Sequence, residues 1–299
     1  MGKLAFVLSG GGARGALQVG ALRALIEAGI QPDLMVGTSI GAVNAAYLAV
    51  QGVNLDGVRG LIDAWQDAIE ADLLPANYLT LALRSFVNLS FDTIYKRNRE
   101  FYISHGLSPD LRFSDIHGVE LVLVATDLNS GQPVLYGQNP DQFVLDGLMA
   151  SITLPPWMPP HERDGSMLMD GGVVSNLPIE PALKFGATDI IALDLIDLRE
   201  PPVPGPGFGR LMTKLLFTVS KRQVEMELAL AESRGVPVRR IQLLGKEPTA
   251  LWDFRHTQEL IEQGYEIPQK LITDWGEDKK PFWRRWLNLF AQFLEILKG

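Results

Sequence analysis

Residues 4–15 read LAFVLSGGGARG and residues 33–41 read DLMVGTSIG. Each stretch begins with a short apolar run and continues into a turn rich in glycine. Helical spacing of apolar residues follows both turns, from Ala16 to Ala28 and from Ile40 to about Val50. Two consecutive strand–turn–helix units predict an α/β fold with a mainly parallel sheet and helices on its faces.

The composition excludes several classes of protein. The 299-residue chain has no cysteine, and 27 Lys and Arg stand against 35 Asp and Glu, for a formal net charge of −8. The lack of cysteine excludes a disulfide scaffold, thiolate metal sites and a cysteine nucleophile. The acidic balance argues against nucleic-acid binding. No apolar run is long enough for a membrane span and no signal peptide is recognised, so we expect a cytoplasmic protein.

Further strands and helices are expected along the chain. The strands are predicted at Glu120–Thr126, Pro133–Tyr136, Met167–Met169, Asp189–Leu195 and Arg239–Leu243. Helices are predicted at Leu55–Leu73 and Gly209–Ser233, whereas residues 73–117 read as irregular. The Pro-rich stretch 201–207 reads as a stiff connector. Because a strand is predicted beyond it, we expect the same sheet to continue there.

The first glycine-rich turn reads Gly10-Gly11-Gly12-Ala13-Arg14-Gly15. Its backbone N–H groups converge at the start of a predicted helix, which suits an anion. It matches the dinucleotide-binding pattern G-x-G-x-x-G, and it equally suits an oxyanion hole for acyl transfer. It could also be a plain connection between strand and helix, so this motif alone leaves three alternatives open.

The second turn, Gly37-Thr38-Ser39-Ile40-Gly41, has the G-x-S-x-G pattern of a nucleophile elbow. Its two glycines allow a sharp turn, from which the hydroxyl of Ser39 projects. A dinucleotide-binding protein would carry Asp or Glu at the end of its second strand. The chain has no acid at that place. The second turn therefore favours Ser39 as a nucleophile.

A serine nucleophile needs a base that takes its proton. None of the four histidines lies in a convincing catalytic motif; they are His105, His117, His161 and His256. Asp170 is the better candidate, because it ends a short apolar run and precedes Gly171 and Gly172, which free the backbone for close approach. A carboxylate can act directly as a base if its pKa is high enough. A capping or turn-stabilising role for this aspartate remains the alternative.

Taken together, the three motifs resemble the patatin-like phospholipase family. Its pattern is a glycine-rich loop with a basic residue, then G-x-S-x-G, then D-G-G or D-G-A. All three occur here in that order, at Gly10–Gly15, Gly37–Gly41 and Asp170–Gly172. The surroundings of the aspartate, Ala150–Pro160 and Val173–Pro178, also look like the family. The resemblance covers roughly residues 4–195.

The resemblance implies a bacterial serine acyl hydrolase with a three-layer α/β/α fold, a mainly parallel central sheet and a C-terminal helical extension. Ser39 would be the nucleophile and Asp170 its base, and the amides of Gly10, Gly11 and Gly12 would form the oxyanion hole, with Arg14 shaping the loop. No metal or cofactor is implied. The substrates would be phospholipid or lysophospholipid esters, and transfer of the acyl group to another acceptor is the rival reaction. A module that binds a dinucleotide or phosphate through Gly10–Gly15 is the rival from another class.

We divide the chain into a catalytic core at 1–200, a continuation of the α/β domain at 201–280 and an amphipathic helix at 281–299. The helix begins near a proline and has basic residues opposite a broad apolar face. That pattern predicts peripheral membrane contact through aromatic residues. These residues are Phe282, Trp283, Trp286, Phe290 and Phe293. Packing on the body of the protein or on another subunit is the alternative. The apolar stretch 73–91 could be a lid, an acyl-pocket wall or ordinary core.

Overall fold

The computed structural model describes residues 2–71, 73–74, 91–155, 157–163, 165–199 and 208–278. Its core is one eight-stranded mixed sheet. The strands are β1 (Leu4–Leu8), β2 (Leu34–Thr38), β3 (Glu120–Asp127), β4 (Gln132–Tyr136), β5 (His161–Arg163), β6 (Ser166–Asp170), β7 (Asp189–Asp194) and β8 (Val238–Gln242). Strands β3, β2, β1, β7 and β8 are parallel neighbours in that order, and β4, β5 and β6 pair antiparallel. The mainly parallel sheet is confirmed, and every strand predicted from the sequence is present; only the short β5 was missed.

The described residues also form α-helices on both faces of the sheet. They are α1 (Gly15–Glu27), α2 (Ile40–Gln51), α3 (Leu55–Glu70), α4 (Phe91–Ser104), α5 (Val144–Ile152), α6 (Ile179–Lys184), α7 (Phe208–Ser233) and α8 (Thr257–Asp278). The prediction that residues 73–117 are irregular is wrong for α4. Charged and polar residues dominate α4, and its few buried side chains, such as Ile94 and Tyr102, show no continuous apolar face in the sequence. Helices α5, α6 and α8 were also missed.

Alternation along the strands sorts the core into two layers. In β1, Phe6 and Leu8 pack into the core that contains α1, α2, α3, α5 and α8. Ala5 and Val7 of the same strand pack into the core formed with α6 and α7. Because successive side chains of a strand point to opposite faces, one buried strand serves both cores. The three-layer α/β/α architecture expected from the resemblance is thereby confirmed.

Residues beyond position 200 contribute to the sheet and to both helical layers. Strand β8 pairs parallel with β7, with Val238 opposite Ile190. Helix α8 crosses α1 at two glycines: a Cβ on Gly20 would lie 2.0 Å from the carbonyl oxygen of Ile261, and one on Gly264 would lie 2.1 Å from that of Leu17. The two helix backbones are therefore in direct contact.

Two strand ends meet on one edge of β3. Strand β4 occupies the opposite edge, with Tyr136 opposite Leu123. On the shared edge, Thr38 of β2 pairs with Val124, and Asp170 of β6 pairs with the next residue, Ala125. Since β2 is parallel to β3 and β6 is antiparallel to it, the two strands run toward each other. Their carboxyl ends, and hence the residues at positions 39 and 170, come together there.

The C-terminal segment 281–299 and the stretch 75–90 lie outside the described residues, as does the connector 201–207. The predictions made for these segments therefore stay predictions. None of the helices among the described residues has the length and apolar character that crossing a bilayer requires.

Candidate active site

Ser39 lies at a sharply strained turn between β2 and α2. Its φ of 55° and ψ of −124° make it the one residue other than glycine with a positive φ in the part of the chain that the structure describes. Its carbonyl oxygen accepts from the N–H groups of Ala42 and Val43, at 2.9 and 3.2 Å, so helix α2 starts directly behind it. A strained strand-to-helix turn of this kind is the geometry of a nucleophile elbow.

The glycines on either side of Ser39 allow α2 to lie against the sheet. A Cβ on Gly37 would lie 2.4 Å from the carbonyl oxygen of Gly41, and a Cβ on Gly41 would lie 2.3 Å from that of Leu8. No other residue fits at either position without moving the backbone. The G-x-S-x-G spacing is therefore a steric requirement of this turn.

Asp170 ends β6 and faces the nucleophile turn. Its side chain is buried, with 4% exposure. Burial raises the pKa of Asp170 to about 6, although hydrogen bonds from the side chain of Ser39 and from the N–H of Gly172 act in the opposite direction. The Gly172 bond to Oδ1 measures 2.7 Å. A buried carboxylate with a raised pKa next to a hydroxyl has the properties of a general base.

The two glycines after Asp170 allow the chain to turn away from β6 without a steric clash. A Cβ on Gly171 would lie 2.2 Å from the carbonyl oxygen of Val124, and one on Gly172 would lie 2.9 Å from Oδ1 of Asn176. The turn is tight enough for the N–H of Gly172 to reach back to the carboxylate. The D-G-G motif thus fixes the orientation of Asp170.

The glycine-rich loop borders the nucleophile. A Cβ on Gly10 would lie 3.1 Å from Cβ of Ser39. The N–H of Gly10 donates to the carbonyl oxygen of Asn176 at 3.0 Å, so this amide is already occupied within the protein. No hydrogen bond joins the N–H of Gly11 or Gly12 to another described residue. Of the three amides, those of Gly11 and Gly12 therefore have no acceptor among the described residues.

The side chain of Arg14 stabilises this loop. The side chain is buried and its Nε donates to the carbonyl oxygen of Gly11 at 3.2 Å. Its guanidinium also lies over the ring of Phe217, 5.4 Å from the centroid. Burial lowers the pKa of Arg14 to about 10, while Asp197 and Asp194 act to raise it, so the group stays charged at neutral pH. The hydrogen bond fixes the peptide plane whose N–H belongs to Gly12. At the end of the loop, a Cβ on Gly15 would lie 2.4 Å from Cγ1 of Ile40.

Ser151 and Asn176 support the site, although sequence reasoning assigned them no role. The Oγ of Ser151 accepts from the N–H of Ser39 at 3.0 Å and donates to the carbonyl oxygen of Val124 at 2.6 Å. Asn176 supplies the carbonyl oxygen that receives the N–H of Gly10. The sequence shows only that both residues flank the Asp170 motif.

A largely apolar cavity of about 180 Å³ opens at Ser39 and Asp170. Helices α3 and α4 form much of its wall. The wall residues include Leu61, Trp65, Ala68, Phe101, Tyr102 and Trp157. Leu73 and Leu74, at the start of the apolar stretch 73–91, also line it. These two residues therefore belong to a pocket wall, one of the roles expected for that stretch.

The family model for patatin-like phospholipase matches residues 6–183. The chain belongs to the patatin-like phospholipase family. The matched range contains Ser39, Asp170 and the glycine-rich loop, so the three motifs of this patatin-like chain lie where the family model covers it.

Two relatives with similar sequences agree with this assignment. The patatin-like phospholipase domain-containing protein 7 of Mus musculus is 32% identical over 305 residues, which cover 91% of this chain and 21% of that protein. Lysophospholipase nte1 of Aspergillus terreus is 31% identical, over 72% of this chain and 13% of that protein. The chain thus spans between 13% and 21% of the length of these two relatives. The crystal structure of VipD from Legionella pneumophila matches with a TM-score of 0.48 and 14% identity, over 92% of this chain and 67% of that one.

One histidine, His105, lines the cavity of this patatin-like chain. Its ring nitrogens lie 2.8 Å from the carbonyl oxygen of Phe101 and 3.1 Å from Oδ2 of Asp67. Both nitrogens are therefore engaged away from Ser39. Within the described ranges, no group of three or more His, Asp or Glu side chains could hold a metal ion.

Proposed function

We propose that this protein is a serine-dependent lipid acyl hydrolase of the phospholipase A or lysophospholipase type. Ser39 is the nucleophile, Asp170 is its base, and the amides of Gly11 and Gly12 form the oxyanion hole. The observation that carries the proposal is the position of the Ser39 side chain beside a buried carboxylate whose pKa is raised to about 6. Both groups lie at the mouth of an apolar cavity.

The reaction proceeds in two halves. Asp170 takes the proton of Ser39 as Oγ attacks the ester carbonyl, and the N–H groups of Gly11 and Gly12 stabilise the negative oxygen of the tetrahedral intermediate. The ester C–O bond then breaks, and the proton on Asp170 passes to the leaving alcohol. Water attacks the acyl-enzyme, Asp170 takes its proton and returns it to Ser39, and the fatty acid leaves.

The choice of a lipid ester is supported by the cavity wall and by the relatives. Apolar and aromatic side chains of α3 and α4 offer burial to an acyl chain, which gains about 0.8 kcal/mol per CH₂ removed from water. A lysophospholipase is among the relatives that resemble this chain over 72% of its length. An acyl group next to Ser39 fits both facts.

Labelling and product analysis test the proposal together. A fluorophosphonate should label Ser39 in the wild-type protein, Ser39→Ala should abolish labelling, and Asp170→Asn should slow it by about 10²-fold or more. Ser220→Ala is the matched control, because Ser220 lines the same cavity and has no assigned role. Retention of full esterase activity by Ser39→Ala would exclude the dyad. Mass spectrometry of products from a mixed lipid extract, with and without added alcohol acceptor, separates hydrolysis from acyl transfer.

We also propose that the C-terminal segment 281–299 provides peripheral membrane contact. Its support is the sequence pattern, in which Trp286, Phe290 and Phe293 share a face opposite basic residues. The variant Phe290→Glu/Phe293→Glu should sediment less with anionic phosphatidylglycerol vesicles than the wild-type protein. Gln292→Glu, on the polar face, is the matched control. Equal sedimentation of the wild type and the double variant would contradict this role.

A further inference from the structure

Helix α7 lies against the chain segment that follows Asp170, and one of its carboxylates is buried there. Glu227 is 8% exposed. Its Oε1 accepts from the hydroxyl of Ser175 at 2.5 Å, and its Oε2 accepts from the N–H of Glu180 at 2.8 Å. One helical turn earlier, Gln223 donates through Nε2 to the carbonyl oxygen of Val173. Two residues of α7, four positions apart, thus hold three points of the segment 173–180.

Glu227 also caps the short helix α6. The residue before this helix is Pro178, which offers no side-chain cap. The N–H of Glu180, in the first turn of α6, donates to Oε2 of Glu227 at 2.8 Å. Helix starts need such an acceptor for their free N–H groups. A residue distant in sequence supplies it here.

The segment 173–180 contacts both loops of the proposed site. The carbonyl oxygen of Ser175 accepts from Oγ1 of Thr38 at 2.9 Å, and Thr38 is the neighbour of the nucleophile. The carbonyl oxygen of Asn176 accepts from the N–H of Gly10 at 3.0 Å. The segment therefore links the turn that carries Ser39 to the loop that carries the free amides.

We infer that Glu227 is a positioning residue for the active site. It fixes the segment 173–180, and through Ser175 and Asn176 it fixes the distance between Ser39 and the amides of Gly11 and Gly12. The inference rests on the proposed function, because it assigns Glu227 a part in the same reaction. Glu227 lies outside the range 6–183 that the family model matches.

The role depends on hydrogen-bond geometry rather than on negative charge. Burial raises the pKa of Glu227 to about 7, while hydrogen bonds from the hydroxyl of Ser175 and the N–H of Glu180 act to lower it and the nearby charge of Glu180 acts to raise it. A neutral amide at this position can still accept from the N–H of Glu180 and can donate to Oγ of Ser175. Glu227→Gln should therefore keep the hydrogen bonds to Ser175 and Glu180, whereas Glu227→Leu removes them.

Steady-state kinetics with a soluble short-chain ester provide the test. We expect Glu227→Leu to lower kcat by roughly 10- to 100-fold with KM changed by less than about threefold, since displaced catalytic groups affect the transition state most. The rate of fluorophosphonate labelling at Ser39 should fall in parallel. Glu227→Gln should restore both to within about threefold of the wild type. Glu225→Leu, on the exposed side of α7, should change neither.

Two results would overturn the inference. One is a Glu227→Leu protein that is folded by circular dichroism and retains wild-type kcat and labelling rate. The other applies if Glu227→Leu does not fold: Ser175→Ala keeps the α6 cap and breaks only the link to the segment, so an unchanged kcat in Ser175→Ala excludes positioning. Failure of the proposed function looks different, because Ser39→Ala would then stay active and Ser39 would remain unlabelled in the wild type.

Discussion

The burial of Asp170 affects both its strength as a base and the stability of the fold. The carboxylate is held 4% exposed at the end of β6, and its pKa is raised to about 6 by desolvation. The raised pKa makes it a stronger base than an ordinary aspartate. The same desolvation makes its charged form costly in the folded state. Activity and stability should therefore depend on pH in opposite directions.

The activity prediction concerns the acid side of the pH profile. In the proposed mechanism only ionised Asp170 takes a proton from Ser39, and its folded pKa is about 6. We expect kcat/KM for a soluble ester to be level above that pH and to fall about tenfold per pH unit below it. Rates measured between pH 4 and 9, with enzyme stability checked at each pH, test this. A profile that is flat down to pH 4.5 would exclude Asp170 as the base.

The stability prediction follows from the same pKa. The folded pKa of about 6 lies above the ordinary value of 3.8, so between these values the folded state binds the proton that the unfolded state has released. The free energy of unfolding therefore falls as the pH rises through this window. Asp170→Asn stays neutral, and we expect it to unfold with up to ~3 kcal/mol more free energy than the wild type at pH 8. The difference should shrink as the pH falls toward 4.

Urea unfolding at pH 8 and pH 4.5 measures that difference. Asp56→Asn is the matched control: Asp56 is exposed at the start of α3, and its replacement should change stability by less than about 0.5 kcal/mol at either pH. An Asp170→Asn protein that is less stable than the wild type at pH 8 would contradict the desolvation account.

Local spacing in the sequence marks individual motif residues but not their partners. Ser39, Gly37, Gly41 and Asp170 are recognisable because the motifs that contain them depend on local spacing. The occupied amide of Gly10 is not, since its acceptor belongs to Asn176, far along the chain. Ser151, 112 positions from Ser39, is equally invisible in any local pattern.

Among helices and strands, the packing of α2 against the end of β1 makes the sharpest demand on one side chain. A Cβ at Gly41 would lie 2.3 Å from the carbonyl oxygen of Leu8 and 2.7 Å from that of Ser9. We expect Gly41→Ala to lower the free energy of unfolding by on the order of 2 kcal/mol or more, because backbone on both sides must move. Thermal unfolding followed by circular dichroism measures the loss.

Gly60→Ala serves as the control for this change. A Cβ there would meet only the end of the Tyr47 side chain, at 2.6 Å, which can rotate away. In helix α3 the substitution should be neutral or stabilising, since alanine is the better helix former by up to ~1 kcal/mol. Equal destabilisation by both changes would contradict the special role of the backbone contact at Gly41.

Helix α3 also offers a test of the acyl cavity. Ala68 is buried and lines the wall shared with α4, whereas Gln66 points outward. We expect Ala68→Phe to lower kcat/KM for long-chain esters by about tenfold relative to short-chain esters, because the added ring fills part of the acyl space. Gln66→Phe adds the same ring on the outer face and should leave chain-length preference unchanged. The ratio of kcat/KM for C12 and C4 nitrophenyl esters measures this preference. An unaltered ratio in Ala68→Phe would mean that the acyl chain binds elsewhere.

Helices with a clean apolar pattern, such as α1 and α3, were predictable, and α4 was not. Charged and polar residues fill the middle of its sequence, and it becomes helical by packing Ile94 and Tyr102 into the core. Tertiary contacts therefore override a weak local pattern. As a result the cavity wall, which depends on α4, could not be deduced from the sequence.

At the scale of the whole described chain, the first helix, α1, packs against the last described helix, α8. Helices α1 and α8 touch through Gly20 and Gly264. The sheet predicted from the sequence is correct. The packing of α8 against α1 was not predicted, because Pro268 inside α8 argues against a helix there. The ion pair of Arg240 with the fully buried Asp194, at 2.6 Å, also joins β8 to β7.

The helix contact predicts that one distant substitution destabilises the active site together with the fold. Gly264→Ala would place a Cβ 2.1 Å from the carbonyl oxygen of Leu17, and α1 begins directly after the glycine-rich loop. We expect a loss of on the order of 2 kcal/mol in the free energy of unfolding, with fluorophosphonate labelling lost over the same urea range. Glu266→Ala, on the exposed side of α8, is the control and should change little. A separate, earlier loss of labelling would contradict a single cooperative unit.

The meeting of β2 and β6 on adjacent residues of β3 has a consequence for heat resistance. The backbones of Thr38 and Asp170 are held by ladder hydrogen bonds at Val124 and Ala125, in the middle of the sheet. Loops that open early on warming do not set the spacing of these two strand ends. The spacing between Ser39 and Asp170 should therefore persist on heating until the sheet itself melts.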